Sequence, residues 1–211
     1  MTYNTQRKAI IKIIHELGQG KTGNLSVRVD EGYLITPTGI ANEELQEEQL
    51  VLMNMDQESK VDQLKPSSEW RFHQELYKSR KDVHAVIHTH STYATVLACL
   101  RKSIPAFHYM IAETGGDSIR CADYATFGTQ QLSDNIIVAM KDRKACLMAN
   151  HGMLVVGEKL RETLNLSRQV EELARQYVLA LQIGEPVILS KQEMAINIEK
   201  FKTYGKQNEI N

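Results

Sequence analysis

Cysteine and proline are scarce in this chain, with three cysteines and four prolines among 211 residues. Cys99, Cys121 and Cys146 are odd in number, far apart and without a CxxC pair. That argues against a disulfide framework and suits a reducing compartment. The prolines are scattered, and no linker, low-complexity stretch or internal repeat divides the chain, so residues 1–211 are expected to form one domain. A surplus of charge is also lacking. Lys and Arg number 25 against 26 Asp and Glu, a net charge of -1. A broad field for nucleic acid or for an anionic membrane surface is thereby excluded, and any anion must be bound locally. No apolar run approaches the ~20 residues that span a bilayer. The start, Met1-Thr2-Tyr3-Asn4, runs directly into an amphipathic segment without an apolar leader, so a cytoplasmic setting is expected. What is present, 42% hydrophobic and 24% charged residues, is the composition of an ordinary globular protein.

Hydrophobic spacing supplies the elements. Ile10, Ile11, Ile13, Ile14 and Leu17 recur at helical intervals, and Gly18 with Gly20 stops that helix. Residues 25–29 and 33–36 read as strands joined through Asp30-Glu31-Gly32, and 51–55 as a third. Pro66-Ser67-Ser68 opens a helix through about Tyr77, with serine the expected N-cap. Residues 83–88 read as a buried strand, followed by a helix capped at Ser91-Thr92. A helix over 130–141, strands on either side of the Asn150-His151-Gly152 turn, and helices over 160–183 and 191–201 complete the pattern. The alternation lacks strict βαβ regularity. It predicts a layered α/β domain with a central mixed, mainly antiparallel sheet flanked by helices.

The strongest local signal is Val86-Ile87-His88-Thr89-His90. Strand residues two apart share a face, so His88 and His90 can converge on one point, where the strand gives way to a helix. A pair of imidazoles there suggests a divalent metal. His151, in a turn whose glycine permits close approach, is the best third ligand. His84 reads as core or as support for the pair. His15 and His108 read as structural, and His73, one turn after Glu69, could support that residue. Glu69 itself lies where a helix dipole favours a carboxylate, and it is also placed to act as acid and base beside a metal. Three segments combine backbone N–H groups with hydroxyls in the manner of a phosphate cradle: Thr22-Gly23-Asn24, Thr36-Pro37-Thr38-Gly39 and Ser67-Ser68. Gly18-Gln19-Gly20-Lys21-Thr22 imitates the end of a nucleotide-binding loop, but its first glycine would fall at His15 and it follows a helix.

Taken in order, these segments resemble the class II aldolase/epimerase family. The similarity runs through Gly23-Asn24-Leu25-Ser26, Thr36-Pro37-Thr38-Gly39, Pro66-Ser67-Ser68-Glu69-Trp70-Arg71-Phe72-His73 and His88-Thr89-His90. It continues through Pro105-Ala106-Phe107-His108-Tyr109, Tyr124-Ala125-Thr126-Phe127-Gly128-Thr129, His151-Gly152 and Lys202-Thr203-Tyr204-Gly205. The resemblance implies one zinc ion per subunit on His88, His90 and His151, with Glu69 a ligand that leaves when substrate arrives. It implies that Gly23, Asn24, Thr38, Gly39, Ser67 and Ser68 hold the phosphate of a small sugar phosphate. Tyr109 is implied to reach a neighbouring subunit's site as a proton donor. Phe127 and Tyr204 are implied to cover the site, the latter from a C-terminal tail of about 200–211, within a homotetramer. The activity implied is reversible cleavage of a ketose 1-phosphate, L-fuculose 1-phosphate first, to dihydroxyacetone phosphate and an aldehyde. Asn150 before His151 replaces a second histidine of the aldolases resembled, an asparagine common across the wider family, and the run Ser91-Thr92-Tyr93-Ala94 also departs from the pattern, which bears on the aldehyde end.

Particular residues separate the rival readings. The family's pentulose-5-phosphate epimerases carry Asp where this chain has Glu69, which favours lyase chemistry. A methylthioribulose-1-phosphate dehydratase shares the metal site. Binuclear hydrolases continue HxHxDH, whereas position 92 is Thr92. A non-enzymatic module like the adducin head would lack ligands, and all four positions are filled here.

Overall fold

The structure, a computed structural model, describes residues 2–18, 20–56 and 64–204. Its centre is a seven-stranded sheet of β1 (Asn24–Val29), β2 (Gly32–Ile35), β3 (Val51–Met53), β4 (Ala85–Thr89), β5 (Arg120–Ala122), β6 (Ala145–Met148) and β7 (Gly152–Gly157). The spatial order is β3-β2-β1-β4-β7-β6-β5. Neighbouring strands are antiparallel except β5 and β6, which run parallel. The mixed, mainly antiparallel sheet is as expected. β4 lies between β1 and β7, and it carries the two histidines into the middle of the molecule.

Side-chain alternation separates two helical layers. Val86 on β4 and Leu154 and Val156 on β7 face one core, shared with α2 (Trp70–Ser79) and α4 (Gln130–Ala139). Ile87 faces the other side, against Ile10, Ile13 and Ile14 of α1 (Asn4–Leu17). Met153 and Val155 meet α3 (Thr92–Cys99) and α5 (Leu160–Ile183), with Met194 of α6 (Lys191–Phe201) closing that core. No helix among the described residues is long and apolar enough to cross a membrane.

Several boundaries differ from expectation. The helix assigned from Pro66 begins only at Trp70, because Pro66 and Ser67 are drawn into pairing with Thr36, Pro37 and Thr38 instead. Glu69, not a serine, occupies the N-cap, and its side chain makes no capping bond. The third strand ends at Met53 rather than residue 55. His84 precedes β4 and is exposed, so it neither joins the core nor supports the metal pair. β5 was not foreseen, being three residues long with Arg and Cys among them.

Arg28 ties α2 to the sheet. Its guanidinium donates to the carbonyls of Tyr77 and Arg80 at the end of α2, at 2.7 and 2.9 Å, and to Val83 at 2.8 Å. A cation there complements the helix C-terminus and fixes α2, hence Glu69, against β1. Arg28→Met should cost about 2 kcal/mol of unfolding free energy, since three charge-assisted bonds are lost and only the stem is replaced. Urea denaturation with an unchanged m-value checks this.

Candidate metal centre

β4 delivers His88 at its end and His90 just beyond, while the β6–β7 turn delivers His151. That turn is made by Asn150 at φ 55, a left-handed conformation that Asn tolerates. Gly152 serves close approach instead: a Cβ there would stand 2.5 Å from the Thr89 carbonyl oxygen and 3.0 Å from the His90 ring. The three imidazoles form a cluster, with centroids 4.8, 4.8 and 5.0 Å apart. Their ligand atoms lie within 4.8 Å of one another.

The hydrogen bonds assign the lone pairs. His88 Nδ1 is 2.8 Å from the Met153 carbonyl. A carbonyl only accepts, so Nδ1 carries the proton and Nε2 presents a lone pair. That Nε2 lies 3.0 Å from His90 Nε2 and 3.3 Å from Glu69 Oε2. His151 Nε2 lies 3.2 Å from Glu69 Oε1. Burial, then the neighbouring His90, pulls His88 down to about 3. Burial and then His88 pull His151 down to about 4, against the opposing effect of Glu69. Burial lowers His90 as well, again opposed by Glu69. All three rings are thus neutral ligands at ordinary pH. Glu69 Oε1 is buried without a hydrogen-bond partner. The bare His88 Nε2 and the Glu69 carboxylate, 3.3 Å apart, repel unless a cation lies between them, and a donor set of three nitrogens and an oxygen fits a divalent metal.

Beside this cluster opens a cleft of about 370 Å³. Gly23, Asn24, Thr38, Gly39, Ser67, Ser68, Glu69, His90, His151 and Phe127 all line it. The three cradle segments meet because they are stitched together. Ser67 N–H donates to Thr36 O at 3.0 Å, and Thr38 N–H to Lys65 O at 3.1 Å. The Asn42 amide donates to the carbonyls of Gly18 and Thr22, at 2.7 and 3.2 Å. Gly23 at φ 73 lets its loop pass over β4, since a Cβ would stand 2.6 Å from the His88 carbonyl oxygen.

Other expected residues stand elsewhere. Tyr109 is 48% exposed on a 3-10 segment, Tyr109–Thr114, and does not line the cleft. Tyr204, 72% exposed, packs at a tilt against Phe201, whose ring lies stacked toward Tyr109. Phe127, 64% exposed, stands on the cleft's rim. Residues 205–211 of the expected tail lie outside the described residues. His15 and His108 bond to backbone, as their structural reading requires. Sequence reasoning missed Lys21, Asn42 and Tyr124, which also line the cleft. Lys21 was discarded with the nucleotide-loop imitation, although its place beside Gly23 was the available signal.

The family described as Class II Aldolase and Adducin N-terminal domain matches residues 12–178. A 5-methylthioribulose-1-phosphate/5-deoxyribulose-1-phosphate aldolase of Rhodospirillum rubrum is 51% identical over 189 residues, covering 90% of this chain and 85% of that protein. An L-fuculose phosphate aldolase of Escherichia coli K12 is 49% identical over 190 residues, covering 90% and 88%. A solved L-fuculose 1-phosphate aldolase superposes with a TM-score of 0.91 at 42% identity, covering 96% of this chain and 98% of that one.

Exhaustive chelation followed by titration should recover one divalent ion per chain. His88→Ala or His151→Ala should weaken it by more than ~100-fold, beyond the loss typical for residues that only support a ligand. Gly152→Ala should weaken it ~10-fold by pressing on Thr89 and His90. Isothermal titration with zinc measures each.

Proposed function

Because the chain belongs to the Class II Aldolase and Adducin N-terminal domain family and is a class II aldolase, we propose that it reversibly cleaves L-fuculose 1-phosphate to dihydroxyacetone phosphate and L-lactaldehyde. One observation carries the reading. The Glu69 carboxylate is buried against three neutral imidazoles with one oxygen unbonded, at the edge of a cleft rimmed by hydroxyls and backbone amides.

His88, His90, His151 and Glu69 would hold zinc, which would supply Lewis acidity for the electrons left on C3 when the C3–C4 bond breaks. The protein's own groups do the rest. Gly23, Thr38, Gly39, Ser67 and Ser68 offer N–H and O–H donors to a phosphate, with Asn24 between them and Glu69. Glu69, having taken up a proton from solvent, passes it to C3 to release dihydroxyacetone phosphate, while Tyr109 gives up its own proton to solvent between turnovers. Tyr109 takes the C4 hydroxyl proton in cleavage and returns it in synthesis. Its exposure away from its own chain's cleft supports a site completed by a neighbouring copy, within a homotetramer. Phe127 and Tyr204 then cover the substrate. The cytoplasmic setting belongs to the same proposal and rests on the cysteine usage.

A second reading replaces the substrate by 5-deoxyribulose or 5-methylthioribulose 1-phosphate. The name of the 51%-identical relative favours it. Both readings share the phosphorylated head and differ at the aldehyde end.

The zinc-loaded protein should release dihydroxyacetone phosphate from L-fuculose 1-phosphate with a higher kcat/KM than from rhamnulose, ribulose, 5-deoxyribulose or 5-methylthioribulose 1-phosphate. A preference for either of the last two selects the second reading, and inactivity toward all five overturns both. Glu69→Gln should lower kcat ~10²–10⁴-fold, the usual worth of a positioned acid/base. Competitive inhibition by inorganic phosphate should stay unchanged.

A further inference from the structure

Behind Glu69 lies a line of buried polar groups that no part of the reaction above uses. Asn24 Nδ2 donates to Glu69 Oε2 at 2.9 Å. Asn24 Oδ1 lies 2.5 Å from His73 Nε2. His73 Nδ1 lies 2.6 Å from Ser26 Oγ, and Ser26 Oγ lies 2.7 Å from the Tyr77 hydroxyl. All five residues are buried, His73 completely. The line follows from two periodicities meeting. Asn24 and Ser26 are two apart on β1, while Glu69, His73 and Tyr77 are four apart at the start of α2 and along it.

Chemistry gives the line one direction. A carboxylate oxygen only accepts, so the amide nitrogen of Asn24 must face Glu69 and its oxygen must face His73. His73 must then donate from Nε2. Burial holds its pKa well below the usual histidine range, so the ring is neutral and carries one proton. Nδ1 is therefore bare and accepts from Ser26, whose oxygen in turn accepts from Tyr77. Both polar atoms of the Asn24 side chain are occupied, which fits a role in holding Glu69 rather than a phosphate.

We propose that His73 is a positioning residue that, through Asn24, pins Oε2 of Glu69 and leaves Oε1 as the oxygen that exchanges protons. The proposal rests on Glu69 being the acid/base of the reading above. Without the Nε2–H donor, the Asn24 amide is free to flip and present its oxygen to the carboxylate. The repulsion would turn Glu69 away from its working orientation, while the three histidines and the phosphate cradle keep their places.

Two measurements test this. In the zinc-loaded wild type, nitrogen-15 NMR of the histidine side chains should show His73 protonated at Nε2 and bare at Nδ1. In Glu69→Gln that signal should shift, because glutamine can donate as well as accept and so releases the constraint. These readings need no substrate. In the kinetic arm, His73→Phe keeps the ring volume and should lower kcat ~10–100-fold. KM and phosphate inhibition should stay within about twofold of wild type. His73→Gln, which returns a donor near the Nε2 position, should recover part of the loss. An Nδ1-protonated His73, or a folded His73→Phe with wild-type kcat, overturns the proposal. Equal loss in the Phe and Gln variants that follows only their fall in Tm also overturns it, since that marks a packing role. A wild type inactive on every ketose phosphate, with the Nε2–H tautomer and its response to Glu69→Gln intact, supports the relay and counts against the reaction alone.

Discussion

A bare imidazole nitrogen of His88 and the buried Glu69 carboxylate, brought together beside His90 and His151 at the edge of a cleft, are the constraint on which the structure turns. His88, His90, His151 and Glu69 come from the end of one strand, the residues just past it, a turn and a helix start, and they gather within a few ångströms of one another. In isolation such a cluster repels itself. The surrounding fold holds it in place: α2 is anchored by Arg28, the Asn150 turn by the Arg101 bond to its side chain, and β4 by strands on both sides. A divalent ion held there would turn this repulsion into attraction, and its binding would then be coupled to the stability of the fold.

The cleft beside the cluster has a different logic. Its donors are mostly hydroxyls and backbone amides from loops, with Lys21 the single lysine or arginine among the described lining residues. Such a surface suits a small anion placed by geometry rather than drawn in by a broad field, in keeping with the nearly balanced charge of the chain. The aromatic residues Tyr124 and Phe127 line the same cleft and are exposed. The relatives' names, fuculose phosphate and deoxy- or methylthioribulose phosphate, differ mainly at the aldehyde end.

Periodicity exposed most elements because strands and helices here bury one face or one stripe each. The helices over 160–183 and 191–201 kept their expected bounds, since each repeats its apolar stripe for several turns. Boundaries failed where long-range pairing competed with local preference. Pro66 and Ser67 carry a helix-start signal, yet their backbone pairs with residues 36–38, and the helix waits until Trp70. His84 shares the phase of His88 and His90, but β4 begins one residue later and leaves it in solvent.

The sequence by itself determined the chemical types at the site: two histidines at strand spacing, a histidine beside a glycine, a carboxylate at a helix start, and hydroxyl-glycine turns. Those follow from side-chain identity and local period, which a linear chain displays openly. Only the tertiary structure decided that these groups share one cavity, which nitrogen of His88 is bare, and that His73 reaches Glu69 through Asn24. Each of those facts depends on contacts between residues tens of positions apart, and hydrogen-bond direction is set by the partner across the gap rather than by the neighbour along the chain.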